Sequence, residues 1–136
     1  GQRAFEIQYV GGKVNGTFTR FYDNGRRTFE QHYVDDAADG ADTGWYSDGK
    51  LMYSGRYRRG KQDGQWVHFY PDGTKRSESN FDNGVRNGRL AQWYENGQMS
   101  FEQNYRNGLQ HGTDAAWNEK GILQYKHEYR NGVIIP

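Results

Sequence analysis

Tyr57-Arg58-Arg59-Gly60-Lys61-Gln62-Asp63-Gly64-Gln65-Trp66-Val67-His68-Phe69-Tyr70-Pro71-Asp72-Gly73 decides the fold, because versions of it recur along the chain. Its leading ring returns every 24 residues, at Tyr9, Tyr33, Tyr57, Phe81, Tyr105 and Tyr129, with no insertion or deletion between copies. A fixed period of this size marks a repeat array, in which each unit buries apolar surface only against its neighbours. Residues 1–136 therefore read as a single array, with units starting at those rings and a partial one at Tyr129.

Composition agrees. Isoleucine, leucine and valine number 14 against 22 aromatic residues, so rings must supply most of the buried area. Each ring buries on the order of 150–250 Å², enough for a periodic ladder to offset the shortage of aliphatics. The net charge of +1 gives no general reason to expect nucleic acid. No apolar run approaches the ~18 residues of a membrane span, and neither a span nor peripheral lipid contact is expected. Cysteine is absent, which rules out disulfide staples and thiolate metal sites. That absence leaves the compartment open between cytoplasm and export to a periplasm or cell envelope.

Each unit divides into two strands and two turns. In the third copy Gln65 to Tyr70 and Thr74 to Phe81 are the strands, Pro71-Asp72-Gly73 is the tight turn, and Arg58 to Gly64 is a looser connection. Asn24-Gly25, Asp48-Gly49, Asn96-Gly97 and Lys120-Gly121 occupy the same turn. Such dipeptides between aromatic runs signal hairpins, whereas glycine at this frequency would cost a helix ~1 kcal/mol each. The expected fold is all-β: an elongated, single-layer antiparallel meander of eleven short strands, built as stacked hairpins.

Pro71 refines the turn. In a two-residue loop it would hold a ladder position that needs its missing N–H. In a three-residue loop it takes the first place of a type I turn, with Gly73 left-handed and Tyr70 opposite Thr74. Simple alternation then puts Phe21, Trp45, Phe69, Trp93 and Trp117 on a core face. Phe29, Tyr53, Phe101, Tyr125 and the 24-residue ring series join them there. The opposite face is expected to expose Tyr22, Tyr46, Tyr70 and Tyr94 in line, with Phe18, Trp66 and Leu90 and with charges such as Glu30, His68, Arg76, Glu78 and Glu102. A two-residue loop would exchange the facing partners of one strand in each hairpin.

The unit Tyr-x-Asn-Gly-x-x-x-Gly, followed by Trp-Tyr-x-Asn-Gly and (Phe/Tyr)-Glu-x-x-Tyr, resembles the bacterial variant of the MORN repeat. The copy from Phe81 to Tyr105 carries Asp82-Asn83-Gly84, Gly88, Trp93-Tyr94-Glu95-Asn96-Gly97 and Phe101-Glu102, and the likeness runs from about Phe5 to Gly132. The resemblance implies one hairpin per repeat in a twisted single-layer sheet, and binding or scaffolding rather than catalysis; some such proteins are labelled antitoxins. Two copies depart from it. The second has Asp35-Asp36-Ala37-Ala38-Asp39-Gly40 in place of the Asn-Gly turn, and the fifth has Asn118 where Tyr94 stood.

Chemistry-bearing residues do not assemble into a recognisable site. His32, His68, His111 and His127 fall at four different repeat positions, so stacking cannot align them. The serines lack a nucleophile elbow. Asp35, Asp36, Asp39, Asp42 and Asp48 form an acidic run without the spacing of a calcium loop; it reads as solvated charge or as a patch facing a partner. Arg56, Arg58, Arg59 and Lys61 form a basic cluster that later copies do not repeat. No catalytic residue, metal or cofactor is expected. The leading expectation is a protein-binding scaffold, including an antitoxin or immunity role. Its partner surface would comprise Phe18, Tyr22, Tyr46, Trp66, Tyr70, Leu90 and Tyr94 together with Asp35, Asp36 and Asp39. The alternative is a glycan or cell-wall binder, whose sugar rings would stack on lines of Tyr and Trp. Open sheet edges near residues 2–9 and 122–129 suggest end-to-end pairing.

Overall fold

The protein's structure, a computed structural model, describes residues 5–136. Among these residues there is no helix, and a 14-stranded antiparallel sheet carries nearly everything. Twelve of its strands neighbour one another strictly in chain order, from Phe5–Glu6 to Val133–Ile135. The meander is thus one strand longer than the sequence suggests. Two short strands, Lys61–Gln62 and Val85–Arg86, pair beside this path, and Tyr9–Val10 pairs with Lys13–Val14 as a separate ribbon. With strands ~4.8 Å apart, twelve in a row extend roughly 50 Å.

Two kinds of turn alternate. At the first, Tyr70 N donates to Thr74 O at 2.8 Å and Gly73 N donates to Tyr70 O at 2.9 Å. This is the three-residue loop that Pro71 requires, and Gly73 holds φ 91°. The same pair of bonds closes the turns at Tyr22, Tyr46, Tyr94 and Asn118. An Asx bond supports each: Asn24, Asp48, Asp72, Asn96 and Asn118 accept from the backbone N–H two residues on.

The second turn is not the looser connection expected from Arg58 to Gly64. Arg58 pairs with Lys61, and Arg59 and Gly60 both have positive φ, 49° and 81°. That is a two-residue type I′ hairpin, whose twist matches the strands it joins. Asn83-Gly84, Asn107-Gly108 and Asn131-Gly132 repeat it. So does Asp35-Asp36, at φ 47° and 71°. The second copy therefore changes the residues without changing the turn. Aspartate tolerates the left-handed region better than most residues, and here Asp36 Oδ1 also accepts from Val14 N at 2.7 Å. These turns are stitched in series: Gly60 N donates to Ala38 O, Gly84 N to Gln62 O, and Gly108 N to Arg86 O.

Which ring lies on which face follows from the register and corrects the simple alternation. Phe69 pairs with Lys75, but His68 pairs with Ser77, so Arg76 is an extra residue in the ladder. Thr28, Met52, Ser100 and Gln124 are the extra residues of the other hairpins. A one-residue bulge reverses the facing of everything beyond it. Phe29, Tyr53, Phe101 and Tyr125, with Tyr33, Tyr57, Phe81, Tyr105 and Tyr129, therefore share a face with Phe18, Trp66 and Leu90. Glu30, Glu78 and Glu102 move to the face of Phe21, Trp45, Phe69, Trp93 and Trp117.

Among the described residues no second layer covers either face. Among the described hydrophobic residues only Trp66, Ala91 and Ala115 are buried. Most rings are half-buried on both sides of the sheet, so stability comes from contacts between neighbouring hairpins. Of the two expected open edges, the one at residues 122–129 is partly closed, because Val133–Ile135 pairs with Glu128, Tyr129 and Arg130. At the other, residues 2–4 lie outside the described ones.

Candidate binding surfaces

The face expected to be exposed holds the most buried ring among the described residues. Trp66 is 5% exposed. Its indole stacks on Tyr53 at 6.3 Å, meets Tyr57 edge-on at 5.1 Å, and donates Nε1–H to Arg56 O at 3.1 Å. Gly55 makes this possible, because a Cβ there would fall inside the indole. Trp66 is therefore a core residue of this aromatic face, contrary to its expected exposure. Phe18 packs on Phe29 at 5.5 Å, and Leu90 is half-buried.

The tyrosines Tyr22, Tyr46, Tyr70 and Tyr94 stand in line, as expected, but half-buried and engaged. Their hydroxyls donate to Trp45 O, Phe69 O, Trp93 O and Trp117 O, at 2.8, 2.6, 2.7 and 2.9 Å. Each bond ties one unit to the next. Asn24 and Asn96 add parallel ties to Ser47 O and Glu119 O.

The acidic run is dispersed. Asp35 and Asp36 lie exposed in a type I′ turn, where Asn15 Nδ2 donates to Asp35 at 3.2 Å. Asp39 is half-buried near that turn, while Asp48 sits at the opposite end of its hairpin. Asp42 is 4% exposed on the aromatic face, accepting from Tyr53 Oη at 2.7 Å and Gln31 Nε2 at 3.2 Å. Burial, then this bond, raises the Tyr53 hydroxyl well above tyrosine's ordinary pKa. Asp114 repeats the arrangement with Tyr125 at a longer 3.3 Å. Sequence reading missed these carboxylate–tyrosine pairs, because alternation without a bulge puts the two groups on opposite faces.

The histidines are as scattered as their spacing implies. His32 meets Thr17, His68 stacks on Tyr53, His111 accepts from Asn131 N, and His127 stacks on Tyr125. Burial, then Arg76, lowers the pKa of His68. Among the described residues no three His, Asp or Glu side chains gather as a metal site would require.

The other face combines rings with paired charges. Arg27 lies over Trp45 at 4.5 Å and bridges Glu30 at 2.8 Å. Lys75 and Arg89 lie over Trp93 at 5.4 and 5.7 Å. Both reach the buried Glu78, Arg89 at 2.8 Å and Lys75 at 3.4 Å, and Gln65 donates to the same carboxylate. A cation over an indole adds attraction of its own, so this strip is both preorganised and half-open.

No curated protein matches the chain. A solved structure described as the crystal structure of GtfA/B complex bound to UDP and GlcNAc is similar at 12% identity and a TM-score of 0.35, over 91% of this chain and 24% of that one. The chain thus spans about a quarter of that protein, and so slight a likeness says nothing of activity. Residues 14–35, 62–83 and 86–107 each match the family described as the MORN repeat variant.

Proposed function

We propose that the chain is a non-catalytic scaffold that binds a protein partner along the face of Phe21, Trp45, Phe69, Trp93 and Trp117. One observation carries this reading: the half-exposed indoles of Trp45 and Trp93 are each flanked by cations already paired with carboxylates. Interface hot spots have this make-up, with Trp, Tyr and Arg anchors ringed by polar groups. The charges need little reordering on contact, which lowers the entropic cost of binding. A strip repeated along roughly 50 Å suits an extended partner surface. MORN repeats are generally associated with binding and scaffolding, in agreement with this reading. An antitoxin or immunity role is the special case in which the partner is a toxin.

Within this reading the hairpin-tip tyrosines Tyr22, Tyr46, Tyr70 and Tyr94 prop the strip from its edge. Trp66 contributes through stability. Phe18, Leu90, Asp35, Asp36 and Asp39 lie off the strip as secondary candidates. The test compares partner capture by the wild type and by a Trp45→Ala/Trp93→Ala double variant whose β-sheet circular dichroism is intact. Capture should fall at least about thirtyfold, the loss expected of even one hot spot of ~2 kcal/mol. Undiminished capture, or capture lost only on Tyr46→Ala or Tyr70→Ala, would move the interface to the tips.

A further inference from the structure

A second surface, on the aromatic face, is set apart by one methyl group. In the hairpin of Trp45, residue Gly44 lies beneath the Tyr53 ring so closely that a Cβ there would collide with it. Gly44 pairs with Tyr53, as Ala116 pairs with Tyr125 three units later. Ala116 carries the Cβ that Gly44 lacks, so the Tyr125 ring cannot lie down over it. Two observations agree: the Tyr125–Asp114 bond is 3.3 Å where Tyr53–Asp42 is 2.7 Å, and Tyr125 is 40% exposed. His127 replaces Gly55 and stacks on Tyr125 at 5.3 Å.

Beside Tyr125 lies a groove of about 590 Å³ lined by its ring and those of Tyr94, Phe101 and Trp117, together with Ala116. Its polar lining comes from Ser100, Gln103, Asn118 and Gln124. Ser100 and Gln124 are bulge residues, and bulges redirect side chains in this way. Asn118 occupies the place that tyrosine holds in the preceding units. Gln103 Oε1 accepts from Tyr105 and Asn118 Oδ1 accepts from Lys120 and Ile122. Their Nε2 and Nδ2 groups have no hydrogen-bond partner among the described residues, nor has the Ser100 hydroxyl. Gln124 donates to Ile122 O, which leaves its Oε1 as an acceptor.

We propose that this groove binds a neutral saccharide, with a pyranose ring against the face of Tyr125 and its hydroxyls on the amides. The lining contains no charged side chain, which disfavours phosphates and acidic peptides. The volume lies within the ordinary range for small-molecule sites. Amide and hydroxyl groups that both donate and accept match vicinal sugar hydroxyls, which do the same. A polyproline segment presents only carbonyl acceptors and would leave Gln124 Oε1 unanswered. The groove adjoins the end of the proposed protein strip, since Trp117 lines it, but it involves neither Trp45 nor Trp93, and its failure would leave the proposed protein interface standing.

The experiment titrates the full chain with cellotetraose, maltotetraose and chitotetraose, and with decaproline as the competing class. Binding is read by calorimetry and tryptophan fluorescence. At least one oligosaccharide should bind saturably, and Tyr125→Ala should weaken it about tenfold or more. Ala116→Gly should do the same by letting Tyr125 settle over residue 116, with β-sheet circular dichroism intact and only the small drop in melting temperature that glycine brings to a strand. A merely unfolded variant cannot give that combination. Three outcomes overturn the proposal: no saccharide retained up to about 10 mM, saccharide binding indifferent to both substitutions, or decaproline occupying the groove in their place. A Trp45→Ala/Trp93→Ala variant that keeps full saccharide binding would establish that the two surfaces are independent.

Discussion

Tyr22, Tyr46, Tyr70 and Tyr94 each direct a hydroxyl at a carbonyl 23 residues further on, from one unit into the next. A part-buried neutral hydrogen bond of this kind contributes about 1 kcal/mol. Tyr70→Phe should therefore lower unfolding free energy by roughly 0.5–1.5 kcal/mol in chemical denaturation while leaving far-UV circular dichroism unchanged. An unchanged midpoint would remove these hydroxyls from the stabilising contacts. Asp63 makes a second residue-scale case. It accepts from Asn83 N at 3.0 Å and from Arg56 at 2.8 Å, and these partners hold its carboxyl below the usual carboxylate range. A depressed pKa means that the unfolded state takes up the proton first. The stabilisation is present above the ordinary value of about 3.9 and is lost as pH falls through the folded one. Asp63→Asn should flatten the loss of stability below about pH 4; a variant as acid-sensitive as the wild type would contradict this.

Between elements, one extra residue per hairpin decides how the faces are composed. The period, the hairpins and the three-residue loop were legible in the sequence, because glycine, proline and Asn-Gly have backbone preferences of their own. The bulge was not. Its residues, Thr28, Met52, Arg76, Ser100 and Gln124, share no chemistry and include no glycine. The type I′ turns were only half legible, since Arg59-Gly60 and Asp35-Asp36 disguise what Asn83-Gly84 states plainly. For the same reason the rings of each face were read beside the wrong neighbours. Contacts between strands on the aromatic face supply the next prediction. Gly55→Ala places a Cβ in the Trp66 indole, and overpacking of this kind costs about 1–3 kcal/mol. Thermal melting should show the loss, with reduced near-UV dichroism from the displaced indole. A melting point equal to the wild type's would mean that Trp66 is free to move aside, as an uncovered ring would be.

Across the whole molecule, a sheet without a second layer holds together one neighbour at a time. Such an array should tolerate loss of an entire unit better than loss of half of one. Deleting residues 57–80 rejoins equivalent positions, so the shortened chain should fold with the same β spectrum and a lower melting temperature. Deleting residues 57–68 joins unlike positions and should leave the chain largely unfolded; two deletions of equal stability would count against independent stacking. The same openness leaves room for both proposed tasks, a charged strip around Trp45 and Trp93 for a protein and an uncharged groove beside Tyr125 for a saccharide. Both assignments rest on the bulge that moves the tyrosine series beside Trp66. Proton NMR distance contacts test that placement directly. The account predicts cross-peaks from the Trp66 indole to the rings of Tyr53 and Tyr57; their absence, with Tyr57 contacting Phe69 instead, would contradict it.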